Sequence, residues 1–233
     1  MVINLSGELI PDDWAEMYRY YGYEAGFYCP GDVRKAVSEL DTDEELELQI
    51  NSIGGLVDGG SEIYAILESC KNPTKAVIQS LAASAASYMI QACDRIEIHL
   101  PAQMMIHLAG AAARGNKHAF QRGAQMLDSA DRSIIAAYAR RCGEKCSKDR
   151  LEELMENETF LTSEDALALG LVDAIVGQDA ESAPDALVAS ALNNTVRAMR
   201  VLPDIRELMA RKDKEESDRL SRELEEEKKR YQI

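Results

Sequence analysis

The chain is short of positive charge. Its 233 residues carry 26 Lys and Arg against 41 Asp and Glu, a formal net charge of -15. Phosphate-backbone binding needs clustered cations, so nucleic acid is not an expected partner. No apolar run reaches membrane-spanning length, and Met1–Gly7 has neither a basic segment nor an apolar stretch of leader length. No membrane contact is expected, and a cytoplasmic setting is. Cysteine is sparse as well: five residues, at 29, 70, 93, 142 and 146, without framework spacing. That odd set fits reduced thiols and not a disulfide scaffold. Cys142 and Cys146 have no second Cys or His pair at ligand spacing, so neither a metal nor another cofactor is expected. A nucleotide-binding Gly-x-x-x-x-Gly-Lys pattern is missing, so any ATPase would be a separate partner. Histidine is scarce, with three residues.

What is present is a globular body. Hydrophobic residues make up 46% of the chain, enough for one sizeable core plus an appendage. Short β patterns alternate with helical ones. Val2–Ser6, Leu46–Ser52, Lys75–Ser80, Arg95–Leu100 and Gln103–His107 read as strands. Asp32–Leu40, Gly60–Cys70 and Ser84–Cys93 read as helices between them. Short β-to-α steps predict βαβ units and a mostly parallel sheet. Asn116–Arg141 is a long helical stretch without one clean apolar face, which suits a helix that projects from the body. Lys148–Glu156 is a further helix and Glu158–Leu161 a short extended segment. Thr162 with Asp165 three residues on predicts a capped helix over Ala166–Leu169, closed by Gly170. Leu171–Val176 reads as a last strand.

Composition shifts after Gly177. Residues 1–177 form the expected domain, 178–185 a polar linker and 186–233 a charged helical extension. Asp185–Leu202 fits a helix. In the remainder, pairs such as Glu207/Arg211 and Glu215/Arg219 stand four apart with the acid first, the favourable order on a solvated helix. Ile205, Leu208, Met209, Leu220, Leu224 and Tyr231 are its main apolar residues, which fit a weak seam for a partner and equally a frayed charged tail.

Three features in order carry chemistry. Ile50-Asn51-Ser52-Ile53-Gly54-Gly55 is a strand running into a double glycine, which turns sharply and presents N–H groups. Gln79–Tyr88 holds Ser84 among small residues at a strand-to-helix junction. Free N–H groups and the helix dipole there favour developing negative charge, as a nucleophilic serine needs. Read alone, that window is better explained by a helix cap in a small-residue packing seam. Met104-Met105-Ile106-His107 ends an apolar strand, and a Gly/Ala-rich loop follows. His99 and His118 lie in an alternating strand and a polar helix start.

Asn51-Ser52-Ile53-Gly54-Gly55, Ala82-Ala83-Ser84 and Met105-Ile106-His107, in this order, resemble the ClpP family of serine peptidases. Phe160–Ala166 and Gly170–Asp173 match the segment that closes the family's domain, so the resemblance runs from about Val2 to Val176. It implies an α/β fold, a ClpP/crotonase-like layered β-β-α superhelix of βαβ units with a protruding "handle" helix. It implies Ser84 as nucleophile, His107 as general base, and the N–H groups of Gly55 and Ala85 as oxyanion hole. Gly54, Leu108 and Gly110 would line the bound peptide. Two positions depart from the family pattern. Ile53 stands where a proline is usual, and Glu158 where the triad's Asp is usual. Glu158 is the expected third member, with a water or a carboxylate such as Asp165 as the alternative.

The Leu81–Ser87 run is most similar to phage and prophage relatives that act as head-maturation proteases. The resemblance therefore implies a serine endopeptidase trimming scaffold and capsid proteins in assembling proheads, built as homo-oligomeric rings, single or stacked. A housekeeping peptidase fed by a separate ATPase unfoldase is the alternative, and a catalytically silent structural protein a further one. A crotonase-type acyl-CoA enzyme would share the fold but needs no Ser/His pair.

Overall fold

The computed structural model describes residues 1–178, 203–204, 206–215 and 219. Among these, eight strands join in one sheet: β1 (Val2–Leu9), β2 (Phe27–Tyr28), β3 (Leu46–Gly55), β4 (Thr74–Ala83), β5 (Arg95–Ile98), β6 (Gln103–Ile106), β7 (Thr159–Thr162) and β8 (Ala174–Ile175). The helices are α1 (Asp12–Tyr20), α2 (Pro30–Ser38), α3 (Val57–Ser69), α4 (Ala85–Met89), α5 (Lys117–Cys142), α6 (Lys148–Glu156) and α7 (Ser163–Leu169). The main path runs β2-β1-β3-β4-β5-β8, parallel throughout. At β4 the sheet divides. Lys75–Ile78 pair with β5, whereas Leu81–Ala83 pair with β6. β7 then adds antiparallel to β6, the one antiparallel pair among the described residues. This is the expected α/β architecture of parallel βαβ units, with a branch that carries the end of β4 toward β6.

Parallel strands covered on both faces read as apolar runs, and here Leu48, Ile50, Ile78, Ile96 and Ile98 are all fully buried. Ile63 and Leu67 of α3, Met89 of α4, and Leu151 and Met155 of α6 close the same core. α5 is different. No residue from 117 to 133 is buried, and burial begins only at Ile134. Its first half stands away from the body, which leaves Phe120 and Met126 more than half exposed. Its far end is locked. Arg141 donates to Cys93 O at 2.7 Å and pairs with Asp173, whose carboxylate also accepts the Ile96 N–H at 2.7 Å.

The capping box at α7 forms as the spacing predicts, with Gly170 closing the helix at φ 77°. Other boundaries differ. The helix expected over Asp32–Leu40 starts earlier, at Pro30, because Cys29 caps it with Asp32 reaching back to the Cys29 N–H at 3.0 Å. The strand expected over Leu171–Val176 shortens to Ala174–Ile175, the two residues in register with Glu97 and Ile98, while the flanking Asp173 and Val176 N–H groups donate to Ile96 O and Ile98 O. All five cysteines are free, and all but Cys70 are buried. No helix among the described residues is long and apolar enough to cross a membrane.

α1 and β2 were not expected, and they build a second, smaller core. Ile10, Ala15, Tyr18, Phe27 and Cys29 bury together with Leu208, from the far end of the chain. Residues 206–215 are helical, and Leu208 seats in this core; the seam's Ile205, Leu220, Leu224 and Tyr231 lie outside the described residues. The Tyr18 hydroxyl donates to Pro203 O at 2.9 Å, and Lys212 Nζ lies 4.4 Å from the Tyr20 ring centroid. The linker expected at 178–185, beyond Gln178, and the helix expected at Asp185–Leu202 lie outside the described residues.

Candidate active site

The C-terminal ends of β3, β4 and β6 meet at one edge. β3 arrives there with a bulge: Ser52 pairs with Gly7 and Gly54 with Glu8, so Ile53 is the extra residue. The bulge needs no proline, and the Ile53 side chain turns to solvent. Ser52 holds the turn from beneath. Its hydroxyl donates to Gly7 O at 2.8 Å and accepts from Gly54 N–H at 3.0 Å and from the buried Tyr28 hydroxyl at 2.9 Å.

The two glycines are forced by close approach. A Cβ at Gly55, where φ is 148°, would lie 2.1 Å from Leu9 O. One at Gly54, with φ 85°, would lie 2.7 Å from Ser84 Cβ and 2.8 Å from Ala85 N. Only glycines let the end of β3 wedge between β1 and the start of α4.

Ser84 is the single residue between β4 and α4, at φ 53° and ψ -127°. A non-glycine residue there costs on the order of 1–3 kcal/mol and persists only where neighbours hold it. They do. Ser84 N–H donates to Met105 O at 2.9 Å, and Ser84 O accepts from Ser87 N–H at 2.9 Å and Ser87 Oγ at 2.6 Å. The same Met105 contact fixes β4 against β6, and His107 follows β6 directly. His107 Nε2 thus comes 2.7 Å from Ser84 Oγ. With the ring proton on Nδ1, Nε2 accepts the serine hydroxyl.

A cleft of about 150 Å³ opens over this pair, lined among others by Gly55, Ala85, Ala109, Gly110, Ile134 and Tyr138. Ala109 N–H is anchored to Asp131 Oδ1 of α5 at 2.7 Å, which sets the loop after His107. Leu108 instead packs against the main core. A larger cavity of about 350 Å³ lies between α3 and α5, and Tyr88 and Ile134 border both. The Tyr88 hydroxyl is spent on Val57 O, at the first turn of α3.

Glu158 is held differently. It follows α6 at φ 47° and its N–H donates to Met155 O at 3.1 Å. Thr159 pairs with Ile106 in the β6–β7 ladder, so Glu158 is the next register position, opposite His107. Its side chain is exposed, and among the described residues no hydrogen bond joins it to His107. Asp165 is occupied elsewhere. Its carboxylate accepts the Thr162 N–H and hydroxyl, and these bonds hold it below the usual carboxylate range. His99 is a strand-end residue whose burial pushes its pKa down, and His118 is exposed at the start of α5. No group of three or more His, Cys, Asp or Glu among the described residues is arranged to hold a metal ion.

Sequence reasoning brought Ser84, His107, Gly54, Gly55, Ala85 and Gly110 to one edge of the sheet. It missed Tyr28, Ser52, Ser87, Asp131 and Tyr138, which support that edge through hydrogen bonds. Ser87 carried a faint signal, a hydroxyl three residues after Ser84. Ser52 lay within the Asn51–Gly55 motif, two residues from the Gly54 N–H it holds, whereas Tyr28, Asp131 and Tyr138 reach the site only across the fold, as in the 51 positions between Ser87 and Tyr138.

The family model described as Clp protease matches residues 35–179. The match takes in β3 through β8, with the glycine turn, the Ser84 junction, His107 and the α7 cap inside it. Membership implies serine-type peptidase activity on protein substrates. By that match and by its parallel α/β sheet with a long projecting helix, the chain belongs to the Clp protease family.

Proposed function

We propose that this chain is a serine endopeptidase in which Ser84 is the nucleophile and His107 its general base. The observation that carries the reading is the 2.7 Å contact between Ser84 Oγ and His107 Nε2, at a backbone turn held from several sides. His107 takes the hydroxyl proton as Ser84 Oγ attacks the scissile carbonyl carbon. The carbonyl oxygen becomes an oxyanion, which the N–H groups of Gly55 and Ala85 receive. The imidazolium then gives its proton to the leaving amine and an acyl-enzyme remains. Water repeats the sequence and releases the acid. A peptide lies extended along Gly54 and the loop at Leu108–Gly110, with backbone hydrogen bonds supplying much of its affinity.

Glu158 serves as the third member in this reading, supported by its register position opposite His107. Being exposed, it contributes a screened charge more than a fixed hydrogen bond. The exposure is also what favours a second reading, a Ser/His pair completed by water.

The substrate reading is phage-type: trimming of scaffold and capsid proteins during head maturation by homo-oligomeric rings. The small-residue run Leu81–Ser87 and the charged extension after the domain support it. The test is peptide and protein cleavage without any ATPase, comparing wild type with Ser84→Ala. Cleavage of a co-expressed scaffold protein that stops in the variant supports the reading. Cleavage of folded protein only with an added unfoldase and ATP would replace it with the housekeeping one. Undiminished cleavage by Ser84→Ala would remove the nucleophile assignment.

A further inference from the structure

The peptide bond between Ser84 and Ala85 is the part of the site whose direction matters most. A trans peptide is planar, and its C=O and N–H point in opposite directions. Whatever anchors the Ser84 carbonyl therefore also aims the Ala85 N–H. Two bonds anchor that carbonyl, both from Ser87: the N–H at 2.9 Å and the hydroxyl at 2.6 Å. The Ser87 hydroxyl has one hydrogen, and a carbonyl can only accept, so that hydrogen goes to Ser84 O. The Tyr138 hydroxyl lies 2.6 Å from Ser87 Oγ, so it must be the donor of that contact. The result is a one-way chain from Tyr138 through Ser87 to Ser84 O.

Both hydroxyls are buried, Ser87 completely and Tyr138 at 1% exposure. Packing alone would be served by alanine and phenylalanine. A buried hydroxyl costs free energy unless it is bonded, and here each is bonded to the other. Burial also pushes the Tyr138 phenol up, so it stays a neutral donor across the working pH range. Gln91 Nε2 donates to Ser87 O at 2.7 Å and braces the same turn. A serine hydroxyl bonding back to a carbonyl three residues earlier is common. A second buried hydroxyl from another helix, directed at that serine, is what separates this arrangement from the common one.

We propose that Tyr138 and Ser87 are positioning residues, holding the Ser84 carbonyl inward so that the Ala85 N–H faces the cleft and receives the oxyanion. The proposal rests on the peptidase reading for its function. Its structural half, the aim of one peptide plane, is testable without catalysis.

The experiment compares Tyr138→Phe, Ser87→Ala, Ser87→Thr and the double variant Ser87→Ala/Tyr138→Phe in the full chain. Three readouts are taken: peptide kcat and KM, affinity for a peptide boronate, and hydrogen exchange of the 84–88 backbone. The loss expected for Ser87→Ala is about ten- to a hundredfold in kcat, as for a weakened oxyanion donor, with KM little changed. Boronate affinity falls in parallel. Tyr138→Phe shows a smaller loss in the same direction. Ser87→Thr, which keeps the hydroxyl, restores most of the rate. The double variant is no worse than Ser87→Ala, because the two hydroxyls act as one chain. Exchange at 84–88 rises in the Ala and Phe variants whether or not the protein cuts peptides. An inactive wild type with this exchange pattern would overturn the peptidase reading and leave the aiming of the peptide standing. Unchanged exchange and unchanged kcat, with only the melting temperature lowered, would overturn the proposal. Additive losses in the double variant would overturn the single chain.

Discussion

Ser84 and Glu158 are both non-glycine residues at positive φ, 53° and 47°, and they stand at the ends of the two strands that flank β6. Their surroundings differ sharply. Ser84 is fixed through its N–H, through its carbonyl twice and through its hydroxyl. Glu158 has one backbone bond and a side chain in solvent. A strained backbone surrounded by buried partners keeps one geometry, and such strain gathers at functional sites. A left-handed residue that merely ends a helix at the surface needs no such explanation. The contrast argues that the chemistry is concentrated at the Ser84 side of the edge, with Glu158 modulating it.

The largest effect that would break this contrast comes from beneath Ser84. Gly55→Ala forces a Cβ onto Leu9 O, and Gly54→Ala one onto Ser84 itself. Either is expected to cost about 2–4 kcal/mol of stability and to abolish peptide cleavage. Thermal melts and a peptide assay check both, and a Gly55→Ala protein with normal melting would show that the wedge is not tight. Next in size is His107→Ala, expected to lower cleavage by about 10⁴-fold or more while leaving the melting temperature nearly unchanged. Glu158→Gln and Glu158→Ala come third, with losses below about tenfold, since an exposed unbonded carboxylate is screened. A thousandfold loss at Glu158 would reverse the contrast and put a fixed Glu158–His107 bond into the working enzyme.

A smaller effect concerns Glu8, which pairs with Gly54 in the ladder. Burial holds its carboxyl above the ordinary value of 4.5. The folded chain therefore binds that proton more tightly than the unfolded one. Its contribution favours folding below pH 4.5 and is lost as pH rises through the raised value. Glu8→Gln should thus melt higher than wild type at pH 7, with the gap closing toward pH 4, as thermal melts across that range would read. Leu208→Asp, which empties the seat on α1, should be the mildest change for the site. It should raise hydrogen exchange in α1 and β2 by about tenfold or more and leave peptide cleavage within about twofold of wild type.

The site edge could be read from sequence because its elements are local and patterned. Apolar strands end in Gly54-Gly55, Ser84 and His107, and although each ending alone has an ordinary structural reading, their order along the chain matches a family pattern. The bulge at Ile53 could not be read, because it is defined only by the register with β1. α1 escaped because its buried face is thin, Ala15 and Tyr18, and is completed by Leu208 from the other end of the chain. β2 is two residues long and owes its pairing to β1 alone. The helix start at Pro30 rests on a cysteine as cap, which is outside the usual capping set. Ser87 and Tyr138 meet only once α5 packs back on α4. The position of Glu158 opposite His107 follows from antiparallel pairing that no spacing announces.

The measurement that bears most directly on the central claim is the mass of the intact protein after reaction with a fluorophosphonate, followed by mapping of the modified residue. One adduct per chain, on Ser84, slowed by His107→Ala and absent in Ser84→Ala, is the result expected from the 2.7 Å pair at the held turn. An adduct on another serine, or equal labelling of the Ser84→Ala protein, would contradict it.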